Sequence, residues 1–195
     1  GVTLFDTAEM YGPHTNEVQV GKALEGRRDQ AFIATKFGIG YNADRTALKV
    51  DGSPANVRRA IEGSLKRLTV DHVDLYYLHR WHKLVPIEDS VGEMARLQAE
   101  GKVRALGLSE VSAATLLRAH AVAPIAAVQS EYSLWWSEPE QEVLPPLEEQ
   151  PANSASPATG NAIHTMRMGL CMFKHPHREP EAQPNPRPGR YKPLP

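Results

Sequence analysis

The chain has 195 residues, 41% apolar and 23% charged, with a formal net charge of −1. That is enough chain for one domain with a real core. A near-neutral balance without long runs of one sign argues against nucleic acid or a membrane surface as the main partner, and no apolar run nears the roughly 20 residues that span a bilayer.

GVTLFDTAEMYG opens the chain. It reads as a short buried strand over Val2–Phe5 that runs into an acid, Asp6, followed by a turn with a lone tyrosine, Tyr11. HTNEVQVGKALEG then has helical spacing. Val20, Ala23 and Leu24 share a face, Thr15 or Asn16 can cap the start, and Gly26 can close the end. AFIAT is a strand with β-branched and aromatic content that runs into Lys36. GIGYNADRTALKVDG reads as a loop. It holds a G-x-G-x-x-A spacing at Gly38, Gly40 and Ala43, but no helix opens within it and Asp44 follows at once. The helix that would receive a pyrophosphate is missing, so a dinucleotide fingerprint is not expected there.

SPANVRRAIEGSLKRL is the clearest helix. Ser53 is its N-cap and Pro54 sits at the first helical position. Val57, Ile61, Leu65 and Leu68 fall on one stripe, and Arg58, Arg59, Lys66 and Arg67 read as a solvated face. VDLYYL is a third strand and runs into His79. A helix is expected over 85–101, with Ile87, Val91, Met94 and Ala95 on one face and Gly101 as its stop. VRALGLSE is a fourth strand with Ser109 at its tip. Ser112 caps a further helix through His120. After Pro124, IAAVQSEYSL is a fifth strand with Gln129 near its end, and EPEQEVLPPLEE is a short helical piece broken by Pro145 and Pro146.

Residues 1–150 therefore read as the folded unit. Residues 151–195 are proline-rich without a sustained apolar period and are expected to be a disordered tail, with NAIHTMRMGLCMF as its one candidate short helix. The only cysteine, Cys171, lies there. It leaves no internal disulfide and is compatible with a reducing, cytoplasmic setting, and no secretory leader is visible.

Strand and helix alternate at roughly 30 to 40 residues per unit, which implies parallel strands with right-handed crossovers. The strands are buried runs, as parallel sheets demand. A (β/α) barrel or an open doubly wound sheet fits this rhythm. Barrels place their chemistry at the C-terminal strand ends, and Asp6, Lys36, His79, Ser109 and Gln129 all stand there. Neighbouring strands lie about 4.8 Å apart, so the first three tips can share a pocket.

Those three tips suggest a proton relay. A phenol is a poor acid near neutrality, but a buried lysine beside it favours the phenolate. The lysine needs a partner to stay charged, and Asp6 is the natural one, since an ion pair at 4 Å is worth about 4 kcal/mol at an effective dielectric of 20. Asp6 would hold Lys36, Lys36 would tune Tyr11, Tyr11 would donate a proton, and His79 would orient a substrate oxygen. Taken one at a time, these residues also fit a strand-end ion pair and a packed loop tyrosine. No metal is expected: His79 and His82, three apart on a strand end, would point to opposite faces. Trp81, Trp135 and Trp136 could line a pocket or belong to the core, and His175 and His177 read as an incidental pair.

These residues resemble the aldo-keto reductases. FDTAEMYG resembles the family's signature around its catalytic aspartate and tyrosine, ATKFG its lysine segment, and LYYLHR its histidine segment. GLSEVS and VQSEYSL resemble the later strands that touch the nicotinamide. The resemblance covers roughly residues 1–150. It implies a (β/α)8 TIM barrel, here partial, with about five parallel strands, flanking helices and an irregular C-terminal tail. It implies a catalytic tetrad of Asp6, Tyr11, Lys36 and His79, with Ser109, Gln129 and Asp6 at the nicotinamide. It also implies NADPH as cofactor and a small-molecule aldehyde or ketone as substrate. No pattern bears on oligomeric state. Glu110 stands where many members have asparagine, and Leu78 where close relatives often have glutamine. The family's first strand and helix would precede Gly1. Its last strands, with the pyrophosphate and adenosine-phosphate contacts, would follow about residue 150, where the proline-rich stretch is out of keeping with a barrel, as a shifted reading frame would be. Weak NADPH binding is thus expected of the chain as written, and a non-catalytic reductase-like fragment or binding module is the alternative reading.

Overall fold

The computed structural model describes residues 1–41, 48–133 and 137, and the backbone of 169–173. In chain order its elements are β1 (Leu4–Asp6), α1 (Thr15–Ala23), a 3-10 turn (Arg28–Gln30), β2 (Phe32–Phe37), β3 (Ile39–Tyr41), β4 (Leu48–Val50), α2 (Pro54–Leu68), β5 (Val73–Leu78), α3 (Ile87–Ala99), β6 (Val103–Ser109), α4 (Ala113–Val122), β7 (Ile125–Glu131) and β8 (Gly169–Phe173). The main sheet runs β1-β2-β5-β6-β7-β8, and every neighbouring pair is parallel. The helices pack in the same succession, α1 on α2, α2 on α3 and α3 on α4.

The sheet is curled. The side chains of Asp6 on β1 and Gln129 on β7 approach to 3.4 Å although β2, β5 and β6 lie between them. In a flat sheet four spacings would hold those strands about 19 Å apart. The first five parallel strands with their helices thus form part of a (β/α)8 barrel, one of the two folds that the strand rhythm allows and the one that the resemblance implies.

The larger core lies between sheet and helices. Val57, Ile61 and Leu68 of α2 and Val91, Met94 and Leu97 of α3 pack there against Ile33, Phe37 and Tyr76. Fully burying each such aliphatic or aromatic side chain contributes about 1.5–3 kcal/mol. The Phe37 and Tyr76 rings stack at 4.7 Å, and the Tyr76 hydroxyl donates to Val57 O at 3.1 Å, so that buried hydroxyl is satisfied. The opposite face carries a smaller cluster of Ala34, Leu75, Tyr77 and Ala127. Tyr77 fits because its neighbour is Gly107: a Cβ on Gly107 would stand 2.4 Å from the Tyr77 ring. β5, at the centre of the sheet, is buried along its whole length.

Several local expectations change. The first strand is Leu4–Asp6 and not a buried run: Val2 is 79% and Leu4 48% exposed. Among the described residues β1 pairs only with β2, so one flank and part of one face have nothing against them. Neither Thr15 nor Asn16 caps α1. The N-cap is His14, in the left-handed region, without a side-chain bond. The Thr15 hydroxyl donates to Gly12 O at 2.6 Å, and Asn16 Oδ1 accepts from Thr7 Oγ1 at 2.7 Å. The third helix is shorter than 85–101. The Gly-rich loop after β2 forms an antiparallel pair, β3 with β4, because Ile39, Tyr41, Leu48 and Val50 supply strand-forming residues on either side of 42–47.

The basic face of α2 is not simply solvated. Arg58 pairs with Glu93 and Glu100, Arg59 with Glu9, and Arg67 with the fully buried Glu17. α2 itself is otherwise as the sequence implies: Ser53 Oγ accepts from Asn56 N, Pro54 opens the helix, and the apolar stripe is buried. Ser112 likewise caps α4 through Thr115 N. The helical reading of NAIHTMRMGLCMF does not hold for 169–173, where the backbone is a strand beside β7. The exposed edge of β7 offers unpaired N–H and C=O groups, and a run of mostly apolar residues can satisfy them as a strand. The rest of 151–195, EPEQEVLPPLEE, Trp135, Trp136, Ala43 and Asp44 lie outside the described residues.

Candidate active site

Lys36 is the centre of the site. Residues alternate across a strand, so Lys36 shares a face with Ala34 on the small-cluster side while Ile33 and Phe37 face the helices. Its side chain is fully buried. A bare buried ammonium costs several kcal/mol, and only full partnering offsets that. Here the partners are complete. Nζ donates to Asp6 Oδ2 at 2.6 Å, to the backbone oxygen of Thr7 at 2.9 Å and to Tyr11 Oη at 3.4 Å. Three N–H donors meet three acceptors.

Asp6 is the last residue of β1, and its neighbour Thr7 extends the ladder by donating its backbone N–H to Ala34 O at 2.9 Å. Asp6 Oδ2 receives Lys36 and, at 3.4 Å, Gln129 Nε2. Asp6 Oδ1 is buried and has no partner. Tyr11 stands in the β1–α1 loop, which is pinned by Tyr11 N donating to Ala8 O at 3.1 Å and Asn16 N donating to Tyr11 O at 3.3 Å. The tyrosine is 37% exposed, so the phenol meets the ammonium on one side and solvent on the other. The ammonium also lies 5.0 Å from its ring centre.

His79 follows β5 directly. Its N–H donates to Phe37 O at 2.8 Å and continues the β2–β5 ladder by one step. Its ring stands edge-on to Tyr11, with centroids 5.9 Å apart at 85°. Burial, together with the positive Lys36 and Arg80 nearby, pushes its pKa down to about 4. The imidazole is therefore neutral near pH 7, with one N–H donor and one acceptor. Its Nδ1 is buried without a partner. Ser109 and Gln129 are direct neighbours across β6 and β7. Gln129 reaches the cluster through Asp6. Among the described residues the Ser109 hydroxyl makes no side-chain hydrogen bond to Asp6, Tyr11, Lys36 or His79, and it accepts from Arg80 Nη1 at 3.3 Å.

Sequence reasoning thus picked out residues that the fold brings together: Asp6, Tyr11, Lys36 and His79, with Gln129 at their edge. It missed others. The third acceptor for Lys36 is a backbone oxygen, which no side-chain pattern can reveal. Arg80, between the His79 carbonyl and Ser109, was signalled only by its place after His79. Glu110 adopts φ +51°, a region that asparagine tolerates better than glutamate. Its carboxylate accepts from Glu131 N at 2.8 Å and so ties β6 to the end of β7. Trp81 is a packing residue: it lies against the core, donates Nε1–H to Val85 O at 2.9 Å, and carries Arg118 over its ring. Among the described residues no group of three His, Cys, Asp or Glu is arranged to hold a metal ion.

Comparison with known proteins shows the family of the chain. The model of the aldo/keto reductase family matches residues 1–153, and the chain belongs to that family. A probable aldo-keto reductase from Glycine max is 51% identical over 146 residues, which are 74% of this chain and 42% of that protein. Among solved structures, the glycerol dehydrogenase of Gluconobacter oxydans superposes with a TM-score of 0.72 at 35% identity, over 76% of this chain and 46% of that one. An aldo/keto reductase from Klebsiella pneumoniae in complex with NADP and acetate gives 0.63 at 34% identity, over 74% and 48%. The chain thus spans less than half the length of these relatives.

Proposed function

We propose that this chain carries the catalytic half of an NADPH-dependent reductase that converts aldehydes or ketones to alcohols. One observation carries the reading: the Lys36 ammonium is held between Asp6 and the hydroxyl of a half-exposed tyrosine. The ammonium occupies one side of Tyr11 Oη, which leaves the O–H free to donate toward solvent, where a carbonyl oxygen would lie. As the proton leaves, the ammonium stabilises the negative charge on Oη, and Asp6 keeps the ammonium charged. His79, neutral above about pH 4, offers a ring N–H to the same oxygen and adds no charge of its own.

The residues present fit the nicotinamide end of the cofactor. A primary carboxamide needs acceptors for its N–H groups and a donor for its oxygen. Asp6 Oδ1 is an orphaned acceptor, Gln129 offers both kinds of group, and the Ser109 hydroxyl is a donor. NADPH, when bound, supplies the hydride for the carbonyl carbon. The tetrad roles, Ser109 and Gln129 as carboxamide contacts, and a cytoplasmic location belong to this proposal. Among the described residues no helix is long and apolar enough to cross a membrane.

The test is NADPH oxidation with 4-nitrobenzaldehyde. Turnover that falls by roughly 100-fold or more in folded Tyr11→Phe is expected, the usual scale for losing a positioned acid. Equal rates in both proteins would remove Tyr11 from the role. No turnover from folded wild-type protein would favour the non-catalytic module. A calorimetric titration bears on the same choice. Because the chain spans less than half of its relatives, NADPH affinity weaker than low micromolar is expected, and tighter binding would contradict that expectation.

A further inference from the structure

The proton donor sits on a loop, and something must hold that loop to the strand that carries the lysine. The side chain that does so is Glu9, which the tetrad does not use. Its backbone N–H donates to Lys36 O at 3.0 Å. Its carboxylate Oε1 accepts from Gly38 N at 3.3 Å. One residue thus grips the chain on both sides of Phe37, immediately beyond the lysine. Its carbonyl also accepts from His14 N at 3.0 Å, which closes the loop containing Tyr11. The carboxylate is 4% exposed and is met by Arg59 Nη2 at 3.3 Å from α2. Arg59 is held in turn by Asn56 Oδ1 at 2.6 Å. Burial raises the Glu9 pKa above its ordinary value, against the pull of Arg59 and the Gly38 amide.

Position 38 suits such a clasp. Gly38 has φ +99°, and a Cβ there would crowd Leu78 Cδ1 at 3.1 Å. The strand therefore turns away at Gly38, and its N–H would otherwise lack a ladder partner on the β1 side. Glu9 also forms part of the wall of a cleft of about 600 Å³, shared with Met10, His14, Tyr41, Asn56 and Arg59. Tyr11, Lys36 and His79 do not line that cleft, so Glu9 stands between it and the catalytic cluster.

We propose that Glu9 is a positioning residue: by clasping Gly38 N with its side chain and Lys36 O with its backbone, it sets the distance between Tyr11 Oη and Lys36 Nζ. It touches no reacting atom. The inference deepens the reductase reading, yet its main readout does not need turnover. A Glu9→Gln side chain keeps an acceptor of the same length for Gly38 N. A Glu9→Asp side chain keeps the charge but is one methylene too short to reach. A Glu9→Ala side chain has neither.

The experiment measures, in each variant, the nuclear Overhauser contact between selectively labelled Tyr11 and His79 rings, with circular dichroism as the check on folding. Where wild-type protein turns over 4-nitrobenzaldehyde, kcat and KM are measured as well. Glu9→Gln is expected to keep the ring contact and to lie within about threefold of wild-type kcat. Glu9→Asp and Glu9→Ala are expected to lose the contact and drop kcat by roughly 10- to 100-fold with little change in KM, the scale set by ångström misplacement of a catalytic group. If Glu9→Ala does not fold, the Gln–Asp pair decides. Glu9→Asp with an intact contact, or Glu9→Gln as impaired as Glu9→Asp, would overturn the proposal. A wild-type protein without turnover defeats the reductase reading alone, because the ring contact still tests Glu9.

Discussion

Two aspartates in this sheet are tied to cations, and they are satisfied very differently. Asp74, near the start of β5, fills both oxygens. Oδ2 accepts from Arg28 Nη2 and Ile33 N, each at 2.8 Å, and Oδ1 accepts from Arg104 Nη1 at 3.1 Å. Asp6, at the end of β1, holds Lys36 with one oxygen and leaves the other buried and unpartnered. A saturated carboxylate cross-links strands and has nothing left to offer. A half-satisfied one, beside an ammonium whose three donors are all committed, keeps capacity for a group that is not part of the chain. In the proposed reductase reading, the difference separates support from chemistry within one sheet.

The contrast breaks first at Lys36. Lys36→Met keeps the buried stem and removes the charge, so turnover of an aldehyde should fall by roughly 100-fold or more while the fold survives, as kcat measurement with circular dichroism would show. Asp74→Asn should do the reverse. Two arginines and an amide lose a charged partner, and the urea midpoint should report about 1–3 kcal/mol of lost stability with kcat within threefold. The exposed Arg104 contributes least to that loss.

A smaller effect comes from pH. His79 has a folded-state pKa of about 4 against an ordinary 6.5, so the unfolded chain binds its proton first. Stability from this residue is fully present above about pH 6.5 and is lost as pH falls through that window toward 4. Partial exposure reduces the effect to about 1–2 kcal/mol. Urea melts of wild type and His79→Gln across this range should diverge, with the variant flatter.

The strand tips were legible because an apolar run that ends in Asp6, Lys36 or His79 is poor strand design unless the end is used. α2 was legible for a similar reason: Ser53, Pro54 and the Val57–Ile61–Leu65–Leu68 stripe all agree. The misses share a different cause. Whether Leu4 is buried depends on what lies across the edge of β1, which no local pattern encodes. Arg58, Arg59 and Arg67 fall mostly off the apolar stripe and so read as a solvent face, but their partners Glu93, Glu9 and Glu17 come from elsewhere in the fold. Glu9 itself sits in a polar turn without a period, so only coordinates reveal that it grips β2.

The most direct measurement is a double-mutant cycle on kcat for 4-nitrobenzaldehyde reduction, using Tyr11→Phe, Lys36→Met and both together. If the lysine works through the phenol, the double variant should be no slower than the slower single variant. Losses that multiply would mean that the two residues act independently, and the relay from Asp6 through Lys36 to Tyr11 would be wrong.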